Sequence, residues 1–172
     1  VRNKQKILDQ IQQFDQHYDY DSSYLLELLA DADEAFAAFD SGRSMIGYRS
    51  KLPADAYYVA AITVMRIEDC GTCLQLNLKM ALEAGMESSI LRLCVEAPDK
   101  LPTHLRDIML HAQAVSLRES PDPEGAARIK ERYGNTAFAE LALLIATVRI
   151  YPLLKRAMLK ATSCSATRFS YQ

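Results

Sequence analysis

The sequence predicts an all-α fold of about seven to eight helices. Three observations carry this. Apolar residues recur at three- and four-residue spacing along nearly the whole chain, the mark of helices with one buried face. No two runs of alternating apolarity are joined by hairpin residues, so strands are not indicated. Proline, glycine and acidic caps punctuate the pattern at helix-length intervals.

In order along the chain, Ile7, Ile11, Phe14 and Tyr18 mark one face of a first helix. Asp21-Ser22-Ser23 offers an N-cap to a second, lined by Leu25, Leu28, Leu29, Ala32, Phe36 and Phe39 and ended at Ser41-Gly42-Arg43. Ser44 to Leu52 reads as loop. Pro53 opens a third helix, where its missing N–H costs nothing, and that helix runs to about Glu68. Its segment Val59-Ala60-Ala61-Ile62-Thr63-Val64 is β-branched, but its neighbours continue the helical period, so it reads as buried helix. Asp69 is placed to cap the next helix, which carries Cys70, Cys73 and Asn77 and stops at Gly85. Glu87 to Glu96 forms a short helix ended by Pro98, and Pro102 opens another to about Arg118. Ser120 to Pro123 is a turn. Glu124 to Tyr133 is a helix closed by Gly134. Asn135 caps a long helix from Thr136 to about Ala161, which Pro152 should interrupt near Val148. Ser163 to Gln172 reads as a flexible tail.

The chain has 172 residues, 49% of them hydrophobic and 24% charged, which suits one domain with its own core. A net charge of −2 leaves no basic footprint for nucleic acid. No uncharged apolar run reaches 18 residues, and Leu141 to Val148 is too short to span a membrane, so no membrane role is expected. Val1-Arg2-Asn3-Lys4 lacks an apolar signal core. Four cysteines are too few for a secreted disulfide framework. The expected compartment is the cytoplasm.

Chemistry concentrates at Cys70-Gly71-Thr72-Cys73. Two cysteines three apart lie on one face of a helix, in line with Asn77. At a helix start the unpaired N–H groups and the positive dipole end favour thiolate, the nucleophilic form. Such a thiolate attacks peroxide to give a sulfenic acid, which condenses with the second thiol to a disulfide. A partner dithiol must then reduce the disulfide by exchange. Two other readings stand beside this one. A buried pair of small apolar residues is the bland one. Zinc is the other, but a structural site needs four ligands, and Cys94, His104 and His111 could join only through tertiary folding. No metal and no cofactor is expected, and Leu74 in place of His after Cys73 excludes haem attachment. Met65, Met80, Met86 and Met109 read as packing, as do most of the nine tyrosines.

The run Pro53 to Val64, then Cys70-Gly71-Thr72-Cys73, then Leu74-Gln75-Leu76-Asn77 and Ala81-Leu82-Glu83-Ala84-Gly85-Met86 resembles the alkylhydroperoxidase D-like (AhpD-like) branch of the carboxymuconolactone decarboxylase family. Ala139 to Ala146 is similar to that family's last helix, so the resemblance covers about Leu52 to Lys160. It implies an all-helical core, a trimeric or hexameric homo-oligomer, and a redox-active pair in which Cys73 attacks peroxide and Cys70 resolves. The family's proton relay uses a histidine four residues after the second cysteine and a glutamate twelve before the first. Those positions hold Asn77 and Tyr58 here. Asn cannot take a proton at neutral pH, and Tyr, with an ordinary pKa of about 10, is a poor base. Glu68 is the nearby carboxylate that could substitute. The expectation is a weak thiol peroxidase. The alternative is a non-catalytic helical oligomer with a degenerate site. Lactone decarboxylation ranks last, because no matching His/Glu set is present.

Overall fold

The computed structural model describes residues 3–161. The expected tail from Ser163, with Cys164, lies outside them, as do Val1 and Arg2. The described residues are helical, with no strand among them. Eight of the helices run nine residues or more: α1 Lys4–Tyr18, α2 Ser23–Asp31, α3 Asp33–Ser41, α5 Ala54–Ile67, α6 Gly71–Glu83, α7 Ser88–Glu96, α8 Thr103–Leu117 and α9 Pro123–Thr147. Two shorter ones, α4 Arg43–Ile46 and α10 Ile150–Ala157, complete the set, with a 3₁₀ turn at Pro98–Lys100.

The central element is α5. Pro53 precedes it in extended conformation, and Asp55 places a carboxylate in its first turn, where the helix dipole favours negative charge. Residues 58 to 65 are all buried, which is why the segment shows no polar face. Thr63 tolerates this by donating its hydroxyl to Val59 O at 2.8 Å. Helices α6, α7, α8 and α9 pack around α5, and Val59, Ile62, Leu74, Leu78, Ile108 and Leu141 close the main core. A second, smaller cluster joins Ile11, Tyr24, Leu25, Leu29 and Phe36 to Tyr151 and Leu154 of α10.

Three expectations are corrected. The second helix is two, because Ala32 leaves helical geometry at φ −147°, ψ 69°. Asp33 and Glu34 then sit in the first turn of α3, where carboxylates are favoured. The segment taken as loop from Ser44 begins inside the single turn of α4. The third concerns apolar length. The stretch Pro123–Ala157 holds an 18-residue window of mean hydropathy 1.7, enough by length and composition to cross a membrane. Its path is broken twice, at Gly134 (φ 84°, ψ 163°) and at the turn before α10, and Ala137, Leu141, Leu144 and Ile145 lie in the core. The second break is the one Pro152 forecasts, since proline is tolerated only in the first turn of the new helix.

Two buried polar anchors join distant segments. Glu140 of α9 accepts the N–H groups of Ser50, Lys51 and Leu52 at 3.1, 2.9 and 2.8 Å, holding the irregular link before α5. Asp107 of α8 takes a two-pronged bond from Arg128 of α9, at 2.9 and 2.7 Å.

Candidate functional site

The junction between α5 and α6 positions the cysteines. Helix α5 ends in a Schellman motif: Asp69 N–H bonds Arg66 O at 3.2 Å and Cys70 N–H bonds Met65 O at 3.3 Å. Asp69 occupies the left-handed position at φ 50°, a place glycine more often fills. It therefore does not cap α6 as the sequence suggested. Cys70 itself is the N-cap residue, extended at φ −112°, ψ 92°, and its carbonyl accepts Leu74 N–H at 2.8 Å. The whole register shifts by one residue, so Cys73 lies in the first turn.

The two sulfurs meet in a disulfide, with Cα atoms 5.3 Å apart. Both residues are buried, but differently placed. Cys73 forms part of the wall of a cavity of about 700 Å³, together with Asn77, Met65, Met80, Phe14 and Tyr20. Cys70 does not line it. The walls come from the main core on one side and from α1, α2 and α4 on the other, and they are mostly apolar.

Asn77, Tyr58 and Glu68 are each engaged in contacts of their own. Asn77 donates its amide to Cys73 O at 2.8 Å, a bond along its own helix. Tyr58 is buried against Tyr57, ring centroids 5.0 Å apart at 81°, and burial pushes its phenol above the ordinary value. Tyr57, not Tyr58, borders the cavity. Glu68, the nearby carboxylate, is buried and ion-paired rather than solvated. Buried at 5% exposure, it binds Arg149 at 2.6 Å and Arg156 at 3.5 Å, and Arg156 also bonds its backbone carbonyl. His104 and His111 lie on α8, and neither lines the cavity that Cys73 borders. Burial holds His111 below the ordinary imidazole value. Cys94 is free and buried on α7, and burial drives its thiol up to about 12. Among the described residues no group of three His, Cys, Asp or Glu side chains is arranged to hold a metal.

The structure adds two residues that the sequence reading did not single out. Tyr20 places its hydroxyl 3.8 Å from Cys73 Sγ. Burial raises its phenol, with a bond to Tyr24 opposing, so it remains a neutral hydrogen-bonding group. Lys155 of α10 is buried at 2% exposure. Its ammonium donates to Thr72 Oγ1 at 3.0 Å and to Asp21 O at 3.3 Å, and lies 4.7 and 5.4 Å from the Tyr20 and Tyr24 ring centres. Burial lowers its pKa, and the carboxylates of Asp21 and Asp15 oppose that. Thr72 Oγ1 is in turn 3.8 Å from Cys70 Sγ. No local signal marks Lys155, because its burial depends on α10 folding back against the turn after α1.

The fold and site together define an all-helical protein with a two-cysteine pair opening a core helix beside a partly open cavity. No family model, no curated protein and no solved structure matches the chain.

Proposed function

We propose that this protein is a thiol–disulfide redox protein of the alkylhydroperoxidase D-like kind, acting as a weak peroxidase through Cys73 with Cys70 resolving. The observation that carries the reading is the joining of the two sulfurs at a helix start, with only Cys73 bordering the cavity. In the reduced protein the Cys73 thiolate attacks the terminal oxygen of a hydroperoxide. The O–O bond breaks, Cys73 becomes a sulfenic acid, and the alkoxide leaves and takes a proton from water. Cys70 thiolate then attacks the Cys73 sulfur and expels hydroxide, giving the disulfide. A partner dithiol returns the pair to the reduced state. The first-turn N–H groups of α6 and the Tyr20 hydroxyl support charge on Cys73. Among the described residues the groups bonded to Cys73 are the Tyr20 hydroxyl and the Asn77 amide, neither of them a base near neutral pH, which fits slow turnover, because general-base help is worth roughly 10²–10⁴ in rate.

The reading carries with it a reducing cytoplasm and a trimeric or hexameric assembly. Exposed Leu110, Val115 and Leu117 on α8 supply apolar surface for the latter. A second reading, a non-catalytic helical oligomer, is favoured by one observation: Glu68 is committed to Arg149 and Arg156, and Asn77 to a backbone carbonyl.

Thiol titration separates the two. The reduced protein is treated with cumene hydroperoxide, and free thiols are counted over time in the parent protein, Cys70→Ser and Cys73→Ser. The redox reading expects loss of two thiols in the parent, recovery with a dithiol, and trapping of a sulfenic acid in Cys70→Ser. A pair that reacts no faster than Cys94 overturns it.

A further inference from the structure

The strongest unexplained group in the molecule is Lys155. A lysine at 2% exposure has lost nearly all its water, and among the described residues its hydrogen-bond partners are a backbone carbonyl and a hydroxyl rather than a carboxylate. What replaces the water is two oxygens and two aromatic faces. Aromatic faces attract cations, so the surroundings are built for a charged ammonium. Burial works against that charge, and the Asp21 and Asp15 carboxylates favour it. On the cysteine side, Glu68 is neutralised by Arg149 and Arg156.

We propose that Lys155, acting through the Thr72 hydroxyl, holds Cys70 as a thiolate whenever the disulfide opens. The direction of the chain follows from hydrogen-bond inventory. An ammonium only donates, so Thr72 Oγ1 must accept from Lys155 at 3.0 Å. The threonine proton is then free for the acceptor on its other side, Cys70 Sγ at 3.8 Å. A hydroxyl that donates to sulfur stabilises the thiolate, and a cation behind it strengthens the effect. Lys155 is thus a positioning residue, and Thr72 the group in contact with the sulfur.

The inference rests on the redox reading and assigns the two cysteines distinct parts in reduction. A partner thiolate reaches Cys73 Sγ through the cavity. It forms a mixed disulfide there, the Cys73–Cys70 bond breaks, and Cys70 leaves with the electron pair. A more acidic leaving thiol departs faster. The partner's second thiol then attacks its own sulfur in the mixed disulfide, releasing Cys73 and leaving the partner oxidised by two electrons. In the opposite half-cycle the same stabilised thiolate is the nucleophile that attacks the Cys73 sulfenic acid.

The test measures the pH dependence of Cys70 alkylation by iodoacetamide in a Cys73→Ser, Cys94→Ser, Cys164→Ser background, with Thr72→Ala, Thr72→Ser and Lys155→Met added singly. Thiolate absorbance at 240 nm provides a second readout. The expected result is a Cys70 midpoint below the ordinary thiol value of about 8.5, rising by about one unit in Thr72→Ala and in Lys155→Met and restored in Thr72→Ser. An unchanged midpoint in Thr72→Ala overturns the proposal, even if Lys155→Met fails to fold. The redox reading has its own outcome. A pair that cycles with peroxide while Thr72→Ala leaves the midpoint unmoved sinks only the lysine chain. A shifted midpoint in a protein that never cycles keeps the chain and removes the peroxidase.

Discussion

Glu68 at the end of α5 and Arg149 at the start of α10 are joined by a bond of 2.6 Å from Nε to Oε1, across 81 residues of chain. Arg156, one helix length later, reaches the same carboxylate and its backbone carbonyl. The pair fixes where α10 meets the cysteine junction, and so it also delivers Lys155 to Thr72. A carboxylate two residues from Cys70 is therefore committed to two arginines, and the cation brought in beside the pair is a lysine.

Glu68→Gln should test that division. Removing one partner of a buried ion pair leaves the other charge uncompensated, at a cost of about 2–3 kcal/mol here because Arg156 is half exposed. Urea unfolding should show that loss. Initial thiol oxidation by hydroperoxide, measured where the variant is fully folded, should change less than about threefold, since a lost general base would cost roughly 10²–10⁴. A hundredfold fall in rate with stability intact would make Glu68 the base after all.

Asn77→His should raise the hydroperoxide rate. Asn77 borders the same cavity as Cys73 and is one helical turn beyond it. An imidazole at that place can accept the thiol proton near neutral pH, which the amide cannot. A gain of about tenfold or more is expected, toward the lower end of general-base effects. Stopped-flow oxidation of the reduced variant measures it, and no gain would show that proton removal is not what limits Cys73.

Cys94 should be silent in the folded protein. Burial among the residues of the main core drives its thiol up to about 12, with Arg66 only partly opposing. Relative to an ordinary thiol near 8.5, its thiolate fraction at pH 8 is smaller by about a thousandfold. Alkylation with mass mapping should find Cys94 labelled only after denaturation. Labelling of Cys94 in the native protein at a rate comparable to reduced Cys73 would mean that α7 opens readily.

Much of the helical plan was legible because it is local. Pro53, Gly85, Pro102 and Gly134 act through their own φ angles or missing N–H, so they mark boundaries without help from the rest of the chain. The juxtaposed sulfurs follow in the same way from helix geometry. The errors sit where a local pattern has two solutions. Asp before a helix reads as a cap, yet Asp69 closes the preceding helix instead, because Met65 O captures the Cys70 N–H. Ala32 has no breaker chemistry, and its break serves the packing of α2 and α3 against α10. Glu68 and Lys155 were illegible for a different reason: their partners lie more than 80 residues away.

Asp69 therefore makes its own prediction. Its φ of 50° is tolerable for aspartate and asparagine but poor for a β-branched residue. Asp69→Val should be less stable in urea unfolding by about 1–2 kcal/mol than Asp69→Gly and Asp69→Asn, which reach the left-handed angle with less strain. The valine variant should also loosen the hand-off to α6, so its disulfide should re-form more slowly after reduction. Equal stability across all three would mean that the α5–α6 turn is not held as described.

Acid should unfasten the link before α5. Burial tends to raise the Glu140 carboxyl, but the N–H groups of Leu52, Lys51 and Ser50 outweigh it and hold it below the ordinary value. Asp107 is likewise held low, first by its bonds to Arg128. For a group whose folded pKa is depressed, the unfolded chain binds more protons at acid pH. The stabilisation is therefore complete above the unfolded value of about 4 and is lost as pH falls through the folded one. Unfolding midpoints measured from pH 7 to pH 2 should stay level to about pH 5 and then drop. Glu140→Gln should be less stable at pH 7 and show a shallower drop, because the amide offers one acceptor oxygen where the carboxylate offers two and has no proton to gain. A variant whose acid profile runs parallel to the parent's would show that Glu140 contributes nothing to that drop.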